Sequence, residues 1–284
     1  MIMIRATTLL LLGSLVAIYC STVQAATRVI SINFDDGPNT ILPGESAGVV
    51  PAVNWNNFSN GTFTGSVLMD NSGVTDFGAG ANVTMTTVLG TNGANVTPTG
   101  GGTGDVKLWT AGTRSVWDGN NDEATQVLLE GLAAAFPNGY DVYIFTGDVA
   151  HAFAHPQGST IYESNTVADY TVARNNSPSA PPAGLTVTDT ETWDVNNGEA
   201  FDGIYTLGRD YVLFSGKSAD DAVYSMHQNH NAGGGTFNWG QYQGMQIVGE
   251  FTEAEAVPEP STYALGLMGL VGFGLFVWRR RRRS

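Results

Sequence analysis

Apolar residues in the central chain come in short runs, broken every few positions by Gly, Asn or Pro, and this spacing constrains the fold more than any other feature. Such runs are too short for long helices and match the length of β-strands. Glycine, 36 of 284 residues, supplies the turns that many short strands require. Strands are expected over 28–34, 62–69, 83–89, 105–109, 140–146, 167–173, 185–188, 211–214, 222–226 and 245–251. The clearest is 140–146, with Tyr140, Val142 and Ile144 on one face and Tyr143 and Phe145 on the other. A strand apolar on both faces belongs in the middle of a sheet. Residues 122–136 alone have helical spacing: Asn121 or Asp122 caps, Val127, Leu128, Leu132 and Ala135 share a side, and Pro137-Asn138-Gly139 stops the run. The pattern predicts an all-β, jelly-roll-type two-sheet sandwich with one short helix, in one domain over 26–251.

Both ends of the chain depart from this pattern. Arg5, the apolar run Leu9–Ile18 and the small residues around Val23-Gln24-Ala25 have the layout of a signal peptide over 1–25, cut by signal peptidase near Ala25. Cys20 falls inside it, and Ala17-Ile18-Tyr19 before it does not make a lipoprotein box. At the other end, a linker over 252–256 leads to Val257-Pro258-Glu259-Pro260-Ser261. An uncharged apolar stretch follows over 263–278, then five arginines over 279–283. A helix of that apolar length spans about 24 Å at 1.5 Å per residue. That is short of a ~30 Å hydrocarbon core, but interfacial Tyr263 and Trp278 and snorkelling arginines let it cross. The arginines place the C-terminus in the cytoplasm and the body outside.

This ordered tail closely resembles the PEP-CTERM sorting signal. The resemblance implies recognition of Val257, Pro258, Glu259 and Pro260 by an exosortase, a membrane-embedded transpeptidase-like enzyme. It further implies transient anchoring in the inner membrane, removal of the tail, and arrival at the cell surface or in the extracellular matrix of a Gram-negative bacterium that makes exopolysaccharide.

The charge between the ends is lopsided. Only Arg28, Lys107, Arg114, Arg174, Arg209 and Lys217 are basic there, against every acid of the chain but Glu259. Six cations against 25 carboxylates leave residues 26–256 at a formal −19, a surface that repels nucleic acid and attracts cations. With Cys20 removed the exported body has no disulfide, so its core or bound ions must hold it together.

Several blocks of the body are similar to a family of uncharacterised domains in planctomycete and verrucomicrobial exported proteins. They are Ser31-Ile32-Asn33-Phe34, Ala47-Gly48-Val49-Val50-Pro51, Asn54-Trp55-Asn56-Asn57, Tyr140-Asp141-Val142-Tyr143-Ile144, Tyr211-Val212-Leu213-Phe214 and Met245-Gln246-Ile247-Val248. The resemblance implies a β-sandwich akin to carbohydrate-binding modules and no established activity.

Candidate chemistry is sparse. Phe34-Asp35-Asp36-Gly37-Pro38 looks like the first motif of polysaccharide deacetylases, in which one Asp is a base and the next binds metal. His151 and His155 have the spacing of the metal-binding helix of those enzymes. Pro156 follows at once, however, Ala152 replaces a hydroxyl residue, and the interval from Asp36 is too long. An acidic turn after the first strand is the simpler reading. His227 and His230 near Asp220 and Asp221 make a weak zinc pattern. Asp118, Asn120 and Asp122 cluster oxygen ligands, and calcium is the cofactor that suits them, although Glu123 and Leu129 break an EF-hand pattern. Among Trp55, Trp109, Trp117, Trp193 and Trp239, Trp109 and Trp117 flank a polar turn and are the preferred sugar-stacking platforms. The expected function is therefore an exported, exosortase-sorted surface or matrix protein with a non-catalytic module that binds carbohydrate or exopolysaccharide. The alternative is a carbohydrate-active enzyme, a polysaccharide deacetylase or a glycoside hydrolase, since a pair of acids can serve glycoside hydrolysis in an acidic sandwich.

Overall fold

The short apolar runs assemble into two hydrogen-bonded sheets. In a computed structural model of the protein, the described residues are 25–35, 37, 39–58, 63–78, 80–88, 102–110, 112–114, 124–146, 159–165, 186–193, 201–227, 229–230, 237–238, 241–252 and 278–282. Residues 27–251 form one compact unit, the body.

The first sheet has five strands in the order β10-β7-β15-β1-β2. These are β10 (Tyr211–Lys217), β7 (Tyr140–Phe145), β15 (Gly244–Thr252), β1 (Ala25–Asn33) and β2 (Asn56–Asn57). Pairing is antiparallel from β10 through β15, whereas β2 runs parallel to β1 with Ile32 opposite Asn56. The second sheet has six strands in the order β3-β4-β6-β11-β8-β9, all antiparallel. They are β3 (Ser66–Val67), β4 (Thr84–Val88), β6 (Ala124–Glu130), β11 (Ala222–His227), β8 (Ser159–Ser164) and β9 (Val187–Trp193). Two small ladders pair β12 (Asn229–His230) with β13 (Phe237–Asn238) and β14 (Gln241–Tyr242) with β5 (Thr113–Arg114).

Period-two alternation sends one face of each sheet inward. Ile30, Ile32, Val142, Ile144, Val212, Phe214, Met245 and Ile247 from the first sheet meet Met85, Val127, Leu129, Ile161 and Tyr224 from the second in one buried cluster. Burying each such side chain stabilises the fold by about 1.5–3 kcal/mol. The outer face of the first sheet is also covered. There Phe145 packs with Ile41, Ala47, Trp55 and Leu108, and Tyr205 and Tyr211 close over it. The clearest strand of the sequence is thus central, between β10 and β15, with a core on both faces.

Two expectations are corrected. Residues 122–136 are not one helix: 124–130 form β6, and among the described residues of this stretch Leu132–Ala135 alone are helical, as α2. Val127 and Leu129 face the core while β6 pairs on both edges, and tertiary pairing overrides the helical spacing. Gly131, at φ 78°, breaks the chain between the two; a Cβ there would lie 2.3 Å from the Asn82 carbonyl oxygen. Conversely, 105–109 lie not in a strand but in α1 (Gly104–Thr110), with Asp105 in its first turn and Leu108 and Trp109 buried. A third helical turn covers 278–281. Among the described residues no helix is long and apolar enough to cross a membrane. The expected span over 263–278 lies outside the described residues except for Trp278. The expected strand at 167–173 also lies outside them.

Candidate functional site

The blocks of sequence singled out in the body converge. Ser31–Phe34, Asn54–Asn57, Tyr140–Ile144, Tyr211–Phe214 and Met245–Val248 supply the five strands of the first sheet, and Ala47–Pro51 lies over its outer face. Their polar members act as stitches. Asn56 donates to the carbonyls of Ser31 and Met69 and accepts from Met69 N–H. Asn33 donates to Asn57 and to the carbonyls of Asp35 and Asn39. Gln246, fully buried between Met245 and Ile247 but on the opposite face, donates to Val50 O and Ser31 Oγ. Gly48 permits this approach: at φ 95° it has no Cβ, and one would lie 2.4 Å from Gln246 Oε1.

Every body cation whose side chain is described sits in an ion pair with a carboxylate of the body. Arg28 meets Asp70 at 3.3 Å, donates to Ala135 O and lies over the Phe77 ring. Lys107 meets Glu45 at 2.6 Å, and that hydrogen bond holds the Glu45 carboxyl below the usual range. Arg209 bridges Asp202 and Asp210. Lys217, at the end of β10, reaches Glu163 of β8 at 2.8 Å and Asp189 of β9, joining the edges of the two sheets. Burial works against its charge, but the two carboxylates together raise its pKa, and its hydrogen bond lowers that of Asp189. Glu163 also accepts from Tyr224 Oη and Thr188 Oγ1.

Beside Lys217 a cleft of about 450 Å³ opens between strand ends. It forms where β10 bulges away from β7, with the Gly216 N–H bonded to Asp141 Oδ1 at 2.8 Å. Thr27 of β1, Asn138 and Gly139 before β7, Ser218 after β10 and Glu250 of β15 complete its walls. Burial, reinforced by Glu163, Asp220 and Asp221, raises the Tyr140 phenol far above its ordinary value, so it stays protonated, donating to Ala219 O.

Asp35 closes a turn: its carboxylate accepts from Gly37 N–H and Asn39 Nδ2. Asp36, His151 and His155 lie outside the described residues. Asp220 and Asp221 accept from the backbone around α2, at Ala133 and Gly131. His227 and His230 fall in β11 and β12. Among the described residues no group of three or more His, Cys, Asp or Glu could hold a metal ion. Asp118, Asn120, Asp122 and Trp117 lie outside the described residues. Trp109 is 6 % exposed and its ring packs 5.3 Å from Phe201, while Trp55 is buried and donates to Ala52 O. Neither the Lys217 seam nor the cleft was found by motif reading. The only signal for the seam was that an acidic body keeps just two lysines.

Fold and tail together define an all-β sandwich carrying a C-terminal sorting segment. Residues 256–282 match the family model of the PEP-CTERM protein-sorting motif, which marks the chain for export and surface sorting through processing by exosortase. Val257, Pro258, Glu259 and Pro260 lie within the match but outside the described residues; Trp278 lies in its helical end, with the Arg282 guanidinium 3.9 Å from its ring centroid. No curated protein matches the chain.

Proposed function

We propose that this protein is a non-catalytic surface or extracellular-matrix component whose acidic sandwich, once the exosortase has removed the tail, associates with exopolysaccharide. The observation that carries this reading is how the body uses its charged groups. Arg28, Lys107, Arg209 and Lys217 are taken up by ion pairs within the body, and Asp35, Asp220 and Asp221, the described acids of the catalytic and metal leads, hold turns and a helix start. A surface left anionic stays soluble and resists self-association at high density. The reading includes calcium bound by Asp118, Asn120 and Asp122, since a divalent ion offsets repulsion among clustered carboxylates. The test is a glycan array, with the exopolysaccharide of an exosortase-bearing host added, probed with residues 26–251 with and without calcium. Retention of at least one polysaccharide, without consumption of it, is expected. Release of acetate or of shortened chains would overturn the non-catalytic reading, and no retention on any glycan would overturn the binding.

A further inference from the structure

Strand directions bring several strand ends to one pole of the body. Phe34, after β1, donates to the carbonyl of Gln243, before β15, while Thr27 at the start of β1 lines the same cleft as Glu250 near the end of β15. The two strands therefore run in opposite directions, and β1 begins where β15 ends. Antiparallel pairing of β15 with β7 and of β7 with β10 places the Asn138-Gly139 turn and Ser218 there too. The cleft occupies this pole. Its acidic groups are Asp141 and Glu250, and the ammonium of Lys217 is directed to Glu163 and Asp189.

The sorting motif is tethered closely to this pole. Only residues 253–257 separate Thr252, the end of β15, from Pro258. Even fully extended, a chain advances at most about 3.3–3.6 Å per residue, so Pro258 stays within about 22 Å of the last strand and Pro260 within about 29 Å. An enzyme that grips Pro258-Glu259-Pro260 must approach to within that reach, which is no more than about 30 Å, the width of a small domain. Any part of it that stands above the motif meets the pole first.

We propose that this pole is a docking surface for the exosortase, with Asn138, Ser218 and Glu250 on the contact and the acidic cleft receiving a basic segment of the enzyme. The proposal rests on the reading of 256–282 as the exosortase substrate. Asn138, Ser218 and Glu250 are all exposed. Opposite charges across such a contact act on encounter rate more than on final affinity. Reversing the charge at the pole therefore slows processing without unfolding the body.

The experiment follows tail removal from the full chain by pulse–chase in cells that contain the exosortase. Glu250→Lys combined with Ser218→Arg is expected to slow removal about tenfold, in the range of electrostatic steering effects. Ile204→Lys, an exposed site on the loop leading into the other end of β10, is expected to leave the rate unchanged. A fifteen-residue Gly/Ser insertion after Ala254 adds roughly 20 Å of flexible reach and is expected to remove the sensitivity to the pole variants. Ser218→Cys in a Cys20→Ser background supplies a thiol at the pole, expected to be shielded from a polar maleimide only in cells that hold the exosortase. Wild-type rates for the pole variants would overturn the proposal. So would equal shielding in cells lacking the enzyme, since the bilayer would then be what covers the pole. A wild-type chain that keeps its tail would remove the sorting reading itself, and the docking surface with it.

Discussion

Lys217→Met tests whether the seam between the sheets depends on one ammonium. The variant keeps much of the aliphatic stem and removes the ammonium, which lies 5.5 Å from the Phe214 ring centroid. Glu163, 6 % exposed, then loses a partner at 2.8 Å and keeps only the hydroxyls of Tyr224 and Thr188. Removing one member of a buried pair costs about 3–5 kcal/mol, because the other charge stays buried. The Asp189 side chain is 39 % exposed, so water screens its half of the network and the lower end applies, about 3 kcal/mol. For a domain of this size that lowers Tm by about 6–12 °C. Thermal and urea unfolding of residues 26–251 at neutral pH measures it. Adding Glu163→Gln removes the stranded charge while retaining an acceptor for Tyr224, so the double variant should regain about half of the loss. The pH dependence has a definite sign. The lowered pKa of Asp189 contributes stability above the ordinary carboxylate value, and this is lost as pH falls through the lowered value. The raised pKa of Lys217 contributes below the ordinary lysine value, and this is lost as pH rises through the raised one. The gap between wild type and Lys217→Met is therefore widest near neutrality and closes in acid. A loss under about 1 kcal/mol, or a double variant no more stable than the single, would refute the reasoning.

Two further outcomes follow from the tail and from the stitched loop. Replacing Pro258, Glu259 and Pro260 together by Ala should leave the tail attached in membrane fractions, and release at the wild-type rate would end the sorting reading. Gly48→Ala drives a Cβ against Gln246 at a left-handed backbone position, so it should cost about 1–3 kcal/mol in urea unfolding, and an unchanged midpoint would show that the 47–51 loop yields freely.

Period-two runs such as Tyr140–Phe145 and Tyr211–Phe214, with Gly and Asn between them, already determined an all-β body, because alternation is a local property of the backbone. The PEP-CTERM tail was equally legible, since its three parts are recognised in linear order. What sequence reading missed depends on partners distant in the chain. Ala124–Glu130 carries a Val-Leu-Leu run that suits helix or strand, and only β4 and β11 on its two edges decided for strand. Asp105–Trp109 has the spacing of a strand, but Gly104 abuts Ser46 O, Asp105 takes Gly48 N–H and Tyr205 Oη, and Leu108 fills the second core, all in a helix. The Lys217 seam spans 54 positions to Glu163 and 28 to Asp189, and its cleft gathers residues from 27 to 250. Local spacing encodes which way a side chain points, whereas a charge pair, a second core or a cleft exists only once folding has brought separate segments together.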